Sequence, residues 1–257
     1  MSVLRSLWRS VELAGMFAVA SAELVLRRPK TREARAAWLN RFAIRAVRRL
    51  GIEITAVGAF PERGAVIANH LGYMDIVAFA ALHPCVFVAK AEMESWPVLG
   101  WMTTMAGTVY VARGHGGSAA RARYGMKSAM DAGLPVVFFP EGTTSDGSTL
   151  LRFHTGLLAQ AMSSGFPLTA AHVRYSLGAD NSAHVSVEKD MCYWGPAKMV
   201  PHVFRFLGLR GARVEVRFAE QPIRFSDDAL HRKLAAIEAR AAVLELAEAS
   251  ERAEVRG

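Results

Sequence analysis

At Gly51 the 257-residue chain changes rhythm, and that change constrains the fold more than any other feature. Before it, apolar residues recur at helical spacing; beyond it, short apolar runs alternate with helical stretches. The runs IEITAV (52–57), AVIAN (65–69), CVFVAK (85–90), TVYVA (108–112), PVVFF (135–139), PLTAAHV (167–173) and ARVEVRF (212–218) have the length and residue types of strands. Helical stretches near 74–82, 118–132 and 150–164 separate several of them, and Ser95 with Pro97 opens another. A charged amphipathic helix over 227–255 closes the chain. The pattern predicts an α/β fold with a central, largely buried mixed sheet flanked by helices, and no internal repeat or low-complexity linker interrupts it.

The first fifty residues stand apart. They hold eleven Arg or Lys against Glu12, Glu23 and Glu33, a net of +8, which is the formal charge of the whole chain. The body, 51–257, is therefore neutral, which argues against a nucleic-acid groove spread over it and for a local docking surface for something anionic. Between Glu12 and Glu23 runs the uncharged stretch LAGMFAVASA, shorter than the ~20 residues that span a bilayer. Shallow insertion of a longer first helix, with Arg5 and Arg9 snorkelling, accommodates the flanking charges. A second helix over 31–50 places Trp38, Leu39, Phe42, Ala46, Val47 and Leu50 on one face and Arg41, Arg45 and Arg48 on the other. An oily helix beside a basic amphipathic one reads as a membrane-docking pair. Ala20-Ser21-Ala22 after a short apolar core imitates a secretory cleavage site, but Glu12 at the core's edge and the two lone cysteines, Cys85 and Cys192, speak against export.

Three blocks carry chemistry. Asn69-His70-Leu71-Gly72-Tyr73-Met74-Asp75 lies where a strand passes into a helix, and Gly72 gives a tight turn that lets the Asp75 carboxylate fold back onto His70. Such a pair fixes the imidazole tautomer and leaves one nitrogen to take a proton from a hydroxyl. Gly107-Thr108-Val109-Tyr110-Val111-Ala112-Arg113 sets a guanidinium at the C-terminal end of another strand, the edge where α/β sheets bind ligands. Phe139-Pro140-Glu141-Gly142-Thr143-Thr144 follows a third strand, with Gly142 permitting an unusual turn and the hydroxyls and amides able to hold an anion.

In this order and spacing the blocks resemble the N-H-x-x-x-x-D, G-x-x-x-x-x-R and F-P-E-G-T motifs of the 1-acylglycerol-3-phosphate acyltransferase (lysophospholipid acyltransferase) family, over roughly 50–220. The resemblance implies an acyltransferase domain over 51–257 behind the docking pair of 1–50. It implies His70 as general base, Asp75 as its orienting partner, and Lys90, Arg113, Glu141, Gly142, Thr143 and Thr144 around the substrates. The donor it implies is acyl-CoA or acyl-carrier protein, with no cofactor and no metal. The setting it implies is the cytoplasmic face of the inner membrane, with membrane lipids and an anionic surface as partners and no nucleic acid. Many relatives that acylate glycerophosphate lipids carry Arg after E-G-T; Thr144 stands here, and Ala170 and Ala171 follow Pro167 where a second proline is common. The form E-G-T-T-S-D-G is similar to members that acylate lyso-ornithine lipid. A non-catalytic membrane-binding protein on the same scaffold is the alternative, while a serine hydrolase lacks its G-x-S-x-G elbow.

The remaining conspicuous residues read as structural or peripheral. Trp96 and Trp101 are assigned to core packing over an acyl-chain tunnel, His172 to a satisfied core position and His154 to the neighbourhood of a head group. PHVFRFLGLRG (201–211) mixes apolar and basic residues in the manner of a second membrane contact.

Overall fold

Ser2 and Thr31 each accept a hydrogen bond from the amide three residues on, and so start two helices, α1 (Val3–Arg27) and α2 (Arg32–Leu50). Both end in the left-handed region, α1 at Arg28 (φ 42°) and α2 at Gly51 (φ 62°). The computed structural model describes residues 2–96, 99–112, 116–226 and 231–254. Within them lie seven strands: β1 (Glu53–Val57), β2 (Ala65–Ile67), β3 (Val86–Lys90), β4 (Val109–Val111), β5 (Val136–Phe138), β6 (Leu168–Leu177) and β7 (Ala212–Phe218). Six fall within the runs read as strands, and β6 begins in its run but continues four residues past it, to Leu177. The further helices are α3 (Tyr73–Leu82), α4 (Leu99–Met105), α5 (Gly116–Asp131), α6 (Thr155–Met162), α7 (Val187–Asp190), α8 (Met199–Leu207) and α9 (Arg232–Glu254), with a 3₁₀ turn over Ala91–Ser95. Pro97, expected in a first helical turn, and 227–230, expected in the last helix, lie outside the described residues.

The sheet order is β1-β7-β6-β2-β5-β3-β4, and every pairing is parallel except β6 with β7. Strands β2, β5, β3 and β4 thus deliver their C-terminal ends to one edge. Strand β6 pairs β2 only through Ala170, then continues beyond that edge to Leu177 along β7. Its extra length forms a wall beside the ends of β2 and β5.

Two cores cover the sheet. One face packs α2, α3 and α8 through residues such as Val47, Phe79, Phe206 and Val216; the other packs α5, α6 and α9 through Met126, Phe138, Phe153, Leu158 and Val243. A third cluster, Ala20, Leu24, Trp38, Met102 and Ala106, joins α1 and α2 to α4. At about 25 cal/mol per Å² of apolar surface, burial on both faces is what holds so short a set of strands together.

Helix α1 leaves most of its apolar side chains outside. Leu4, Leu7, Trp8, Val11, Val19, Val25 and Leu26 are each more than half exposed, and they recur at helical spacing along one stripe. Among the described residues no helix is long and apolar enough to cross a membrane. The charges flanking that stripe are taken up within the protein. Arg9 donates to the Leu207 and Leu209 carbonyls (3.3 and 2.9 Å) at the end of α8, Arg45 forms a bidentate pair with Glu23 (2.7 and 2.9 Å), and Arg49 stands 3.7 Å from Glu12. Snorkelling is thus not how Arg9 is accommodated: the α8 terminus offers it two unsatisfied carbonyls.

The segment 201–211 also differs from its expected character. His202, Phe206, Leu207 and Leu209 are buried, because α8 turns its apolar face to the sheet and to α1; Val200 alone among its large apolar residues is strongly exposed. Trp96 and Trp101 depart in the opposite sense. Each is more than a third exposed, since the short α4 presents only Gly100 and Met102 inward.

Candidate active site

The Asn69–Asp75 block grows out of the end of β2. Six residues past Ile67 the chain enters α3, and on the way Asn69 holds it against the β6 wall. Its side chain donates to the Val173 carbonyl (2.9 Å) and accepts from the Val173 amide (2.7 Å), replacing the ladder that ended at Ala170. Gly72 serves through close approach, not conformation: its φ of 164° is ordinary extended backbone, but an added Cβ would sit 3.1 Å from the Tyr193 amide nitrogen. The expected special turn at Gly72 is therefore a packing requirement.

Asp75, fully buried in the first turn of α3, gathers four donors. His70 Nδ1 lies 2.7 Å from Oδ2, which also accepts from the Leu71 and Gly72 amides (2.7 and 3.1 Å), and the Tyr175 hydroxyl donates to Oδ1. A carboxylate oxygen that accepts from its neighbours sets the imidazole proton of His70 on Nδ1. The His70 ring stacks on Phe139 with centroids 4.0 Å apart and planes 8° from parallel, while its side chain remains 20% exposed. Nε2 is thereby left as the basic nitrogen. The Tyr175 phenol is pushed well above its ordinary pKa by burial and then by Asp75, so it stays a donor.

The third block wraps this pair. Gly142 adopts φ 65°, a left-handed conformation that costs other residues ~1–2 kcal/mol, and its amide closes a turn onto the Phe139 carbonyl (3.0 Å). The turn aims Glu141 inward, away from the region where substrate contact was expected. Oε1 accepts from the His70 amide (2.7 Å) and Oε2 from the Leu151 amide (2.9 Å), with the residue only 2% exposed. Burial raises its pKa above the usual carboxylate value, and the two amides oppose that shift. Glu141 thus clamps the backbone of the histidine. Ser145 adds a second tie, its amide donating to the His70 carbonyl (2.9 Å).

The remaining expected residues fall on the same edge. Register sets Ile67 beside Phe138, so His70 and Glu141 leave neighbouring strands at one level. Lys90 ends β3 and is exposed; β5 alone separates its strand from β2, a span of about 10 Å. Thr143 is exposed and Thr144 half-buried in the loop beyond Gly142. Arg113 lies outside the described residues; Val111, two positions before it, pairs with Lys90 at the end of β4. His154 is exposed, its amide donating to the Pro140 carbonyl (2.8 Å). His172 is not fully satisfied, since its buried Nδ1 has no partner, and burial with Arg174 and Arg217 nearby lowers its pKa to about 4. Cys192 donates to the Asp146 carbonyl (3.4 Å), and burial pushes its thiol up to about 12, which leaves it without nucleophilic character at neutral pH.

Residues 51–174 match the acyltransferase family model. The chain is 32% identical over 187 residues to lyso-ornithine lipid O-acyltransferase from Pseudomonas aeruginosa, an alignment covering 68% of this chain and 70% of that protein. It is 34% identical over 148 residues to 1-acyl-sn-glycerol-3-phosphate acyltransferase from Neisseria gonorrhoeae, covering 57% and 58% of the two. The crystal structure of the 1-acyl-sn-glycerophosphate acyltransferase PlsC from Thermotoga maritima superposes with a TM-score of 0.66 over 95% of both chains at 20% identity, a likeness of fold. The molecule is an acyltransferase in class. The chain belongs to the lysolipid acyltransferase family that holds the lyso-ornithine lipid and 1-acylglycerol-3-phosphate enzymes.

Proposed function

We propose that the protein transfers a fatty acyl chain from a thioester donor, acyl-CoA or acyl-carrier protein, to the free hydroxyl of a lysolipid. The observation that carries this reading is the His70–Asp75 pair, with Nδ1 held by a buried carboxylate, Nε2 left to accept a proton and the side chain partly exposed. Nε2 takes the hydroxyl proton as the oxygen attacks the thioester carbonyl carbon. The new C–O bond forms, the C–S bond breaks, and the imidazolium returns its proton to the departing thiolate. Asp75 steadies the transient imidazolium. Phe139 fixes the plane of the ring, and Glu141 the backbone that carries it.

Lyso-ornithine lipid is the acceptor we favour, with 1-acylglycerol-3-phosphate second. Thr144 stands where an arginine would grip phosphate, and the alignments to the lyso-ornithine enzymes of P. aeruginosa and Brucella abortus cover 68% and 71% of the chain. Lys90, Arg113 and the Thr143–Thr144 loop would hold the anionic part of either head group. The apolar stripe of α1 docks the enzyme on the bilayer, on the cytoplasmic side where thioester donors are made.

Purified protein given acyl-CoA or acyl-carrier protein with each lysolipid in turn tests the reading. Turnover should favour lyso-ornithine lipid and fall by about 10²–10⁴ in His70→Ala, the usual range for loss of a general base. Undiminished turnover in that variant would end the mechanism. Leu7→Asp with Val11→Asp should weaken vesicle binding at least about tenfold while sparing turnover of a detergent-dispersed acceptor.

A further inference from the structure

Where α1 turns into α2, an open groove of about 370 Å³ runs between that turn and α4. Leu24, Val25 and Trp101 supply apolar walls, and Arg28, Lys30 and Arg35 supply three cations. Among the described residues no carboxylate stands within ion-pair distance of these three. Arg28 and Arg35 each give Nε to a carbonyl of the turn, and with Lys30 they bring three cations to one apolar-walled groove, whereas Arg45 and Arg49 face glutamates.

The groove lies away from the reacting edge. Arg35 packs its stem against Gly107, two residues before β4 begins, and Arg32 donates to Ser128 (3.2 Å) near the end of α5, where the chain returns to the start of β5. Those are the N-terminal ends of β4 and β5, which run parallel with β2 in one set of strands, and His70 and Glu141 lie at the opposite, C-terminal edge of that set. Helix α1 joins the two edges. Its first turns are held by the α8 carbonyls near the top of β7, and its last turn forms the groove. At 1.5 Å per residue its 25 residues extend about 37 Å.

We propose that this groove seats the phosphodiester of one anionic membrane phospholipid, distinct from the acceptor that reacts at His70. Guanidinium and ammonium groups suit a phosphate, and phosphate affinity alone would not need apolar walls. Those walls run into the exposed stripe of α1 through Val25, which places a bound lipid's chains on the side of the docked bilayer. The left-handed backbone of Arg28, a conformation glycine would adopt freely, turns a cation into the groove where the helix stops; its Nε bonds the Val25 carbonyl (3.3 Å). The inference deepens the docking read from α1 and needs no part of the catalytic reading.

The test is calorimetry on the full chain with no donor or acceptor present, titrating dihexanoyl-phosphatidylglycerol below its micellar concentration. One saturable site is expected, at least tenfold tighter than for dihexanoyl-phosphatidylcholine. Arg28→Gln with Lys30→Gln should weaken it at least tenfold, with Arg35 kept because its Nε also holds the turn through the Pro29 carbonyl (3.1 Å). Lys30→Glu alone, a purely surface change, should weaken it in the same direction. Arg41→Gln with Arg48→Gln removes equal charge elsewhere on α2 and should change binding less than twofold. Equal losses in the two double variants, indifference to the head group, or displacement by coenzyme A would overturn the proposal. Failure of the α1 stripe variants to lower vesicle binding would instead strike the docking reading, so the two are separable.

Discussion

Replacing Glu141 by Gln separates two roles for the residue. Gln keeps the shape but offers one carbonyl oxygen, whereas the native carboxylate accepts from both the His70 and Leu151 amides (2.7 and 2.9 Å). One amide would face an NH₂ group. A hydrogen bond to a charged acceptor contributes about 1.5–3 kcal/mol, and if the whole loss is felt at His70 the rate falls about 10- to 150-fold at 1.36 kcal/mol per decade. Stability should change less than activity, because the substitution also removes a carboxylate whose charge burial disfavours. The assay is steady-state product formation with the lysolipid varied at saturating donor, alongside a thermal melt. A residue that positions the histidine lowers kcat and leaves the acceptor KM unchanged, whereas a residue that binds substrate raises KM and spares kcat. Because the Glu141 pKa is raised, its protonated form grows as pH falls through that value, and the wild-type rate should decline toward that of the Gln variant. Full kcat with a raised KM would refute the clamp.

Tyr175→Phe leaves Asp75 Oδ1 without its hydroxyl donor in a buried site and should cost about 1–3 kcal/mol in urea unfolding, with the fold intact because the ring volume is kept. His172 supplies a pH signature. Its folded pKa, lowered to about 4, means that the unfolded chain binds the proton first, so stability is full above the ordinary value of 6.5 and declines as pH drops toward 4. The decline attributable to this group is about 2 kcal/mol by pH 5, and His172→Val should remove it; identical pH–stability curves for the two proteins would exclude the effect.

The sequence made the sheet legible because the buried parallel strand in PVVFF is a short apolar run bounded by turn residues, while ARVEVRF, at the antiparallel seam, alternates buried and more open positions. It made His70 and Asp75 legible because their partnership spans a single turn. Tyr175 was hidden by distance along the chain and by a strand read as ending at Val173, when β6 continues to Leu177. Glu141 was visible as a carboxylate at a strand mouth, but only the left-handed turn at Gly142 decides that it points inward. Apolar residues mixed with arginines look alike on α1 and α8. One stripe faces outward and the other lies on the sheet, and what separates them is the tertiary partner that each helix meets.

The length of α1 has a kinetic consequence. On the docking proposed above, α1 lies along the bilayer over about 37 Å with one end fixed beside the edge that carries His70, and so keeps that site at a constant height above the lipid plane. An enzyme so seated samples its acceptor as a two-dimensional solution. Its velocity should follow the mole fraction of lysolipid in the surface, not the bulk concentration, and dilution with inert lipid should slow it even when the total amount of acceptor is unchanged. Successive turnovers on one vesicle then need no desorption, so a few enzyme molecules per vesicle would exhaust their own vesicle's acceptor before any protein-free vesicle is touched.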